Sequence, residues 1–133
     1  MHSVTPLWCA AVSGKLPVIK FLFEQGADIN AISDTGSTPV RSACFMTHLE
    51  IVQYLVEKGA NINTPNFNGG TCLINSVQSV QLCKFLLEHG ADVNACDIQN
   101  KTALHYAIQE HRYGFNCNLV MCLRRNRNIT RAV

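Results

Sequence analysis

Charge is scarce in this chain, and that scarcity excludes a good deal. Charged side chains make up 15% of 133 residues, and the formal net charge is only +2, too small to read as a nucleic-acid footprint. No basic block occurs before the C-terminal RRNRNITR, with Arg124, Arg125, Arg127 and Arg131. Cations suit a helix C-terminus, and four arginines without interleaved aromatics are a thin basis for RNA or an acidic partner. No apolar run approaches the roughly 20 residues that cross a bilayer. CAAVSG at residues 9–14 mimics a signal-peptide cleavage site, but the start lacks a basic region. The expectation is an intracellular chain, cytoplasmic or nuclear, with no membrane segment.

Reactive chemistry is equally sparse. The seven cysteines are odd in number and irregularly spaced; the closest pair, Cys117 and Cys122, has four residues between them. No two-residue spacing suggests zinc or a redox pair, so the cysteines read as small buried thiols in a reducing compartment. No glycine loop of the phosphate-cradling type is present. His48 and His89 fall at turns, and no third group supports a Cys-His nucleophile. No catalytic residue, metal or cofactor is expected, and the chain reads as a non-enzyme.

What is abundant is repetition. Thr5, Thr38 and Thr71 stand 33 residues apart and Thr102 follows after 31, heading TPLWCAA, TPVRSAC, TCLINSV and TALHYAI. QGADIN, KGANIN and HGADVN recur behind them, with Gly26, Gly59 and Gly90 at 21, 21 and 19 residues from the preceding Thr. The third unit has therefore lost two residues between its markers. Within a unit, Thr caps a helix and Pro is tolerated in its first turn. Small residues follow and admit a close neighbour. A second helix carries apolar residues at helical spacing, Leu49, Val52, Leu55 and Val56 or Leu82, Phe85 and Leu86. Glycine ends it, and a polar Gly-bearing turn reads as a projecting hairpin.

A helix pair plus hairpin every 33 residues with TPL and GADVN marks resembles the ankyrin repeat. The resemblance implies an all-α repeat solenoid of about four stacked repeats, helix pairs with short β-hairpin fingers, each burying its face on the next. Residues 1–133 are expected to form one domain, with repeats at approximately 1–32, 33–65, 66–96 and 97–133. The first would lack its hairpin. The last would be irregular, with Gly114 late, Leu123 in the place of Phe23, Asn126 in that of Gly26 and Ile129 in that of Ile29. Neither end shows a polar capping repeat, which fits a fragment of a longer array or a short protein that self-associates through uncapped ends. His105, in the TALH slot, is structural by this resemblance. Arg41 fills the same slot and is expected to donate hydrogen bonds to neighbouring loops. Trp8, also in that slot, reads as packing at the N-terminal edge.

In this fold, hairpin tips and first helices form one long concave face, where a protein or peptide target binds. The candidate partner-binding residues are Asp34, Ser37, Phe45, Met46, Phe67, Asn75 and Tyr106. Aromatic and Met side chains there anchor partners, although Phe45 and Met46 fit packing between first helices as well.

STPVRSACF followed by HLEIVQYLVEKGANI is similar to the Fem (feminisation) family, as are TPLWCAA and, more weakly, GGTCLINS, over about residues 4–108. Fem proteins are substrate receptors of cullin-RING ubiquitin ligases. Their ankyrin array holds the C-terminal tail of a target, often ending in Arg, and a separate box binds elongin. The resemblance implies a degron-reading array, with Ser37 and Phe45 in the matching positions of its pocket. Met46-Thr47 replaces the family's Asp-Gly, Gly36 stands where Asn is frequent, repeat three is short, and no elongin-binding box is present. The alternative is a self-associating scaffold without a peptide pocket.

Overall fold

The computed structural model describes residues 5–112 and 117–126, without the side chains of 110–112, 117–119 and 121. The hairpin expected to be missing before Thr5, the late Gly114, Ile129, Arg127 and Arg131 lie outside the described residues. The elements are α1 (Pro6–Ser13), α2 (Leu16–Glu24), α3 (Pro39–Phe45), α4 (Leu49–Glu57), a 3-10 turn (Ile74–Ser76), α5 (Val80–Glu88), α6 (Ala103–Arg112) and α7 (Cys117–Arg124). They form an all-α repeat solenoid. First helices stack α1 on α3 on the 3-10 turn on α6, and second helices stack α2 on α4 and α5 on α7.

The threonines set where the first helices start. Side-chain oxygens of Thr5, Thr38 and Thr71 accept the backbone N–H of Trp8, Arg41 and Ile74 at 3.1, 3.3 and 3.3 Å, satisfying a donor that a helix start otherwise leaves free. The fourth unit does this differently. Nδ1 of His105 accepts from the Thr102 N–H at 3.0 Å, with the Thr102 hydroxyl 2.9 Å away. That fixes the His105 proton on Nε2 and gives the TALH histidine its structural role.

The missing two residues of the third unit fall on its first helix. Helix α4 begins at Leu49, the eleventh residue after Thr38, but α5 begins at Val80, the ninth after Thr71. Ser79 caps α5 directly through the Leu82 N–H. The expected α-helix has no room and becomes the single turn Ile74–Ser76.

Packing follows the division between small and large side chains. The first helices bury mostly small residues, Ala10, Ala11, Val40, Ala43, Cys44, Ala103 and Ala107, beside Leu7 and Leu104; the second helices bury mostly large ones, Ile19, Ile51, Val52, Leu55, Leu82, Leu86 and Leu123, beside Cys83. Each wholly buried Leu stabilises by about 1.5–3 kcal/mol. Three thiols are part of this core: Cys44, Cys72 and Cys83 are buried, whereas Cys9 is exposed. Cys83 donates to the Ser76 carbonyl at 3.1 Å, and burial pushes its pKa up to about 12. A hydrogen bond with Cys44, and then burial, hold the Cys72 thiol well above its ordinary value. Such thiols are inert at neutral pH.

The fingers between units are single tight turns; there is no strand among the described residues. Each closes on itself, with Ser33 N–H to Ser37 C=O, Asn66 N–H to Gly70 C=O and Asp97 N–H to Lys101 C=O, all at 3.0 Å. One bond then ties each turn to the one before, Phe67 N–H to Thr35 C=O and Ile98 N–H to Asn68 C=O. Asparagines stitch the opposite side: Asn30 Oδ1 accepts from Asn61 N–H, and Asn63 Oδ1 from Asp92 N–H.

Gly14 ends α1 in the left-handed region with φ 75°. One repeat later that position is Thr47, at φ 58°. A β-branched residue is strained there, by about 1–2 kcal/mol. Thr47→Gly should therefore raise stability by about 1 kcal/mol in urea denaturation despite the added freedom of the unfolded glycine; a destabilised variant would show that the Thr47 hydroxyl bond to the Met46 carbonyl outweighs the strain.

Candidate functional site

Arg41 organises the face formed by turns and first helices. Its place at the third position of α3 sends the side chain between two fingers. Nε donates to the Gly70 carbonyl at 3.0 Å and Nη1 to Ser37 Oγ at 2.8 Å, the loop bonds expected of it. Ser37 Oγ in turn lies 3.0 Å from Ser42 Oγ. No carboxylate pairs with Arg41 among the described residues. Burial pushes its pKa down, with the Cys72 and Cys44 thiols acting in the opposite sense, and a guanidinium remains charged through such a shift. A half-buried cation without an anion is an incomplete arrangement.

Two cavities flank it. The first, of about 320 Å³, is lined by Trp8, Val12, Thr35, Ser37, Arg41, Ser42, Phe45 and Met46. Its rim is apolar and open, with Phe45 64% and Met46 42% exposed. Its lining contains no acid. Trp8 Nε1 is buried and has no hydrogen-bond partner among the described residues, a second donor left unsatisfied there. The other cavity, of about 290 Å³, lies one repeat further on. Arg41, Asn66, Asn68, Gly70, Ile74, Asn75, Val77, Asp97 and Tyr106 surround it.

The seven candidates distribute over these features. Ser37, Phe45 and Met46 meet at the first cavity; Asn75 and Tyr106 line the second. Asp34 and Phe67 stand exposed on finger tips, outside both cavity walls. Phe67 is 68% exposed and lies over Gly36, where a Cβ would come 2.7 Å from its ring. This explains glycine there beyond its φ of 79°. Phe45 and Met46 do not pack away between helices. Ser37 lines the first cavity but is 2% exposed, its hydroxyl held by Arg41 and Ser42. It positions Arg41, whose part in the cavity wall was missed, as was that of Trp8. From the sequence both read as packing or bridging groups. The available signal was a cation in an interrepeat slot with no acid nearby in the helix.

In the second cavity, Asp97 accepts the N–H groups of Gln99 and Lys101 at 2.9 and 3.1 Å and the Tyr106 hydroxyl. Lys101 Nζ sits 5.5 Å from the Tyr106 ring centroid. Partial burial pulls the Asp97 pKa up, but the Tyr106 hydroxyl, the two N–H groups and the Lys101 charge together outweigh it and hold the carboxyl below its ordinary value. The same hydrogen bond pushes Tyr106 up to about 12.

A larger cavity, of about 780 Å³, lies between α5 and α7, lined by Val80, Lys84, Leu87, Glu88, Cys122, Arg125 and Asn126. It holds none of the seven candidates. Among the described residues no group of three or more His, Cys, Asp or Glu is placed to hold a metal ion, and no helix is long and apolar enough to cross a membrane.

Two family models described as ankyrin repeats match the sequence, one of three copies over residues 2–66 and one of many copies over residues 78–119. The unmatched stretch between them contains the 3-10 turn. A protein fem-1 homolog of Drosophila melanogaster is 45% identical over 38 residues. That stretch is 29% of this chain and 6% of the Drosophila protein, so the match spans a small part of the relative's length.

The depressed Asp97 pKa contributes stability above its unfolded value, near 3.8, and that contribution is lost as pH falls through the lower folded value. In an NMR titration, the Asp97 carboxyl should titrate below 3.8, and Tyr106→Phe should move its midpoint upward. An unmoved midpoint would show that the hydroxyl is not the group holding the carboxylate.

Proposed function

The chain belongs to the ankyrin-repeat family, a protein–protein interaction architecture, and from that premise we propose that it is a Fem-like receptor for the free C-terminus of a target protein. In the Fem family such recognition serves a ubiquitin ligase, and substrate recognition for ubiquitination is the role inferred here. The Drosophila match and the STPVRSACF segment support this reading.

The observation that carries it is the first cavity. It combines a guanidinium and an indole N–H that have no anion and no acceptor, respectively, among the described residues, with an open apolar rim. A chain-terminal carboxylate is the peptide group that supplies an anion without a long side chain, and hydrogen bonds from a charged donor to it are strong. The terminal side chain would then meet Trp8, Val12, Phe45 and Met46. These surfaces suit an apolar residue. The family's acid for a basic terminus is replaced by Met46, so an Arg end is disfavoured. Backbone and apolar contacts of this kind hold extended peptides with a few strong anchors.

The alternative, self-association without a peptide pocket, has one observation in its favour. Val18 and Phe21 on α2 are exposed, whereas Ile51, one repeat on from Val18, is buried. Light scattering at high protein concentration separates the two: a monomer removes the scaffold reading.

The peptide reading is tested on a peptide array with free and amidated C-termini. Binding should require the free carboxylate, favour apolar terminal residues and weaken about tenfold in Phe45→Ala. Met46→Asp should shift the preference toward terminal Arg. Binding indifferent to amidation, or no binding by any peptide, would sink the proposal.

A further inference from the structure

The two residues lost from repeat three change the shape of the binding face. Where the other described units present a first helix of seven to ten residues, this one presents a single 3-10 turn, Ile74–Ser76. The second cavity lies against that turn, with Ile74, Asn75 and Val77 in its wall. The wall carries one cation, Arg41, and one anion, Asp97, each already engaged within the fold, and its remaining polar groups are neutral amides and a hydroxyl. Asn66 Oδ1 is taken up by the N–H groups of Asn68 and Gly70, and Asn75 Nδ2 by the Thr71 carbonyl at 2.8 Å. The Asn75 carbonyl oxygen and the whole Asn68 side-chain amide have no partner among the described residues. Asp97 is already satisfied by two N–H groups and Tyr106, so it offers little to a cation. Arg41 belongs to both cavities.

We propose that this second cavity is a specificity subsite for an uncharged hydrogen-bonding side chain of the bound peptide, Asn, Gln, Ser or Thr, upstream of the terminal residue. The proposal rests on the C-terminal peptide reading above. Packed helices lie about 8–10 Å apart, and an extended chain advances about 3.3 Å per residue. A peptide with its terminus in the first cavity therefore brings the residue about three positions upstream over the second. Asn68 and Asn75 provide a donor and an acceptor there, the complement that a carboxamide or hydroxyl requires. An apolar residue would leave those groups desolvated and unpaired, which disfavours it more strongly than a lost apolar contact would.

The experiment is an octapeptide library with free carboxyl ends, randomised over the last six positions and selected on the full chain, on Asn68→Ala and on Asn75→Ala. The wild type should enrich Asn, Gln, Ser or Thr about three positions before the terminus. Each variant should lose that enrichment and about tenfold in affinity for the selected peptides, with the terminal preference unchanged. The Asn68 side chain makes no bond within the described residues, so Asn68→Ala tests the subsite without a cost to the fold. Selection confined to the terminal residue, with both variants binding as the wild type does, overturns the subsite and leaves the C-terminal reading standing. If no free-carboxyl peptide is selected at all, both fall together.

Discussion

No unit of this chain can satisfy its own finger. A tight turn of five residues closes two backbone bonds internally and still leaves polar groups facing the next unit. The neighbour supplies the partner: Phe67 N–H for the Thr35 carbonyl, Ile98 N–H for the Asn68 carbonyl, and the Arg41 guanidinium for the Gly70 carbonyl. These bonds recur at the same place in successive units and so fix the spacing and register of the stack. The small residues of the first helices then determine how closely the units approach, and the large residues of the second helices fill what remains.

The binding face follows from that dependence. Because an interrepeat bond is made by an arginine where the fourth unit has histidine, a full positive charge is placed in the wall between two cavities. Histidine at the same slot binds inward, through Nδ1 to Thr102; arginine reaches outward to two fingers at once and keeps further N–H groups. Under the proposed function, structural stitching and ligand recognition are therefore served by the same side chain. Ser37 contributes by holding that side chain, and the exposed Phe45 and Met46 supply the rim.

Much of this was legible in the sequence, because cap chemistry and helix-ending glycines act locally. Thr5, Thr38 and Thr71 each cap as their position implies, and Gly26, Gly59 and Gly90 all adopt positive φ. The bridging role of Arg41 was legible as well, from its slot in the repeat. What was not legible depends on tertiary space. A two-residue deficit counts residues but does not say which element gives way; the cap at Ser79 and the intact α5 decided that the first helix did. The burial of Ser37 was hidden because a polar residue before a helix cap reads as exposed until a neighbouring guanidinium is seen to cover it. The strain at Thr47 shows only in the backbone.

The shortened third unit also bears on how the array comes apart. In a stack where each unit touches only its neighbours, cooperativity is transmitted unit by unit and is limited by the weakest junction. Here the column of first helices passes through a single 3-10 turn. The second helices are paired as α2 with α4 and α5 with α7, with less contact across the middle. One hydrophobic core still runs through this junction, so the centre is a thin place in a continuous stack. Local opening of the solenoid would begin at this junction, and under the proposed function a peptide spanning both cavities would bridge it and oppose that opening.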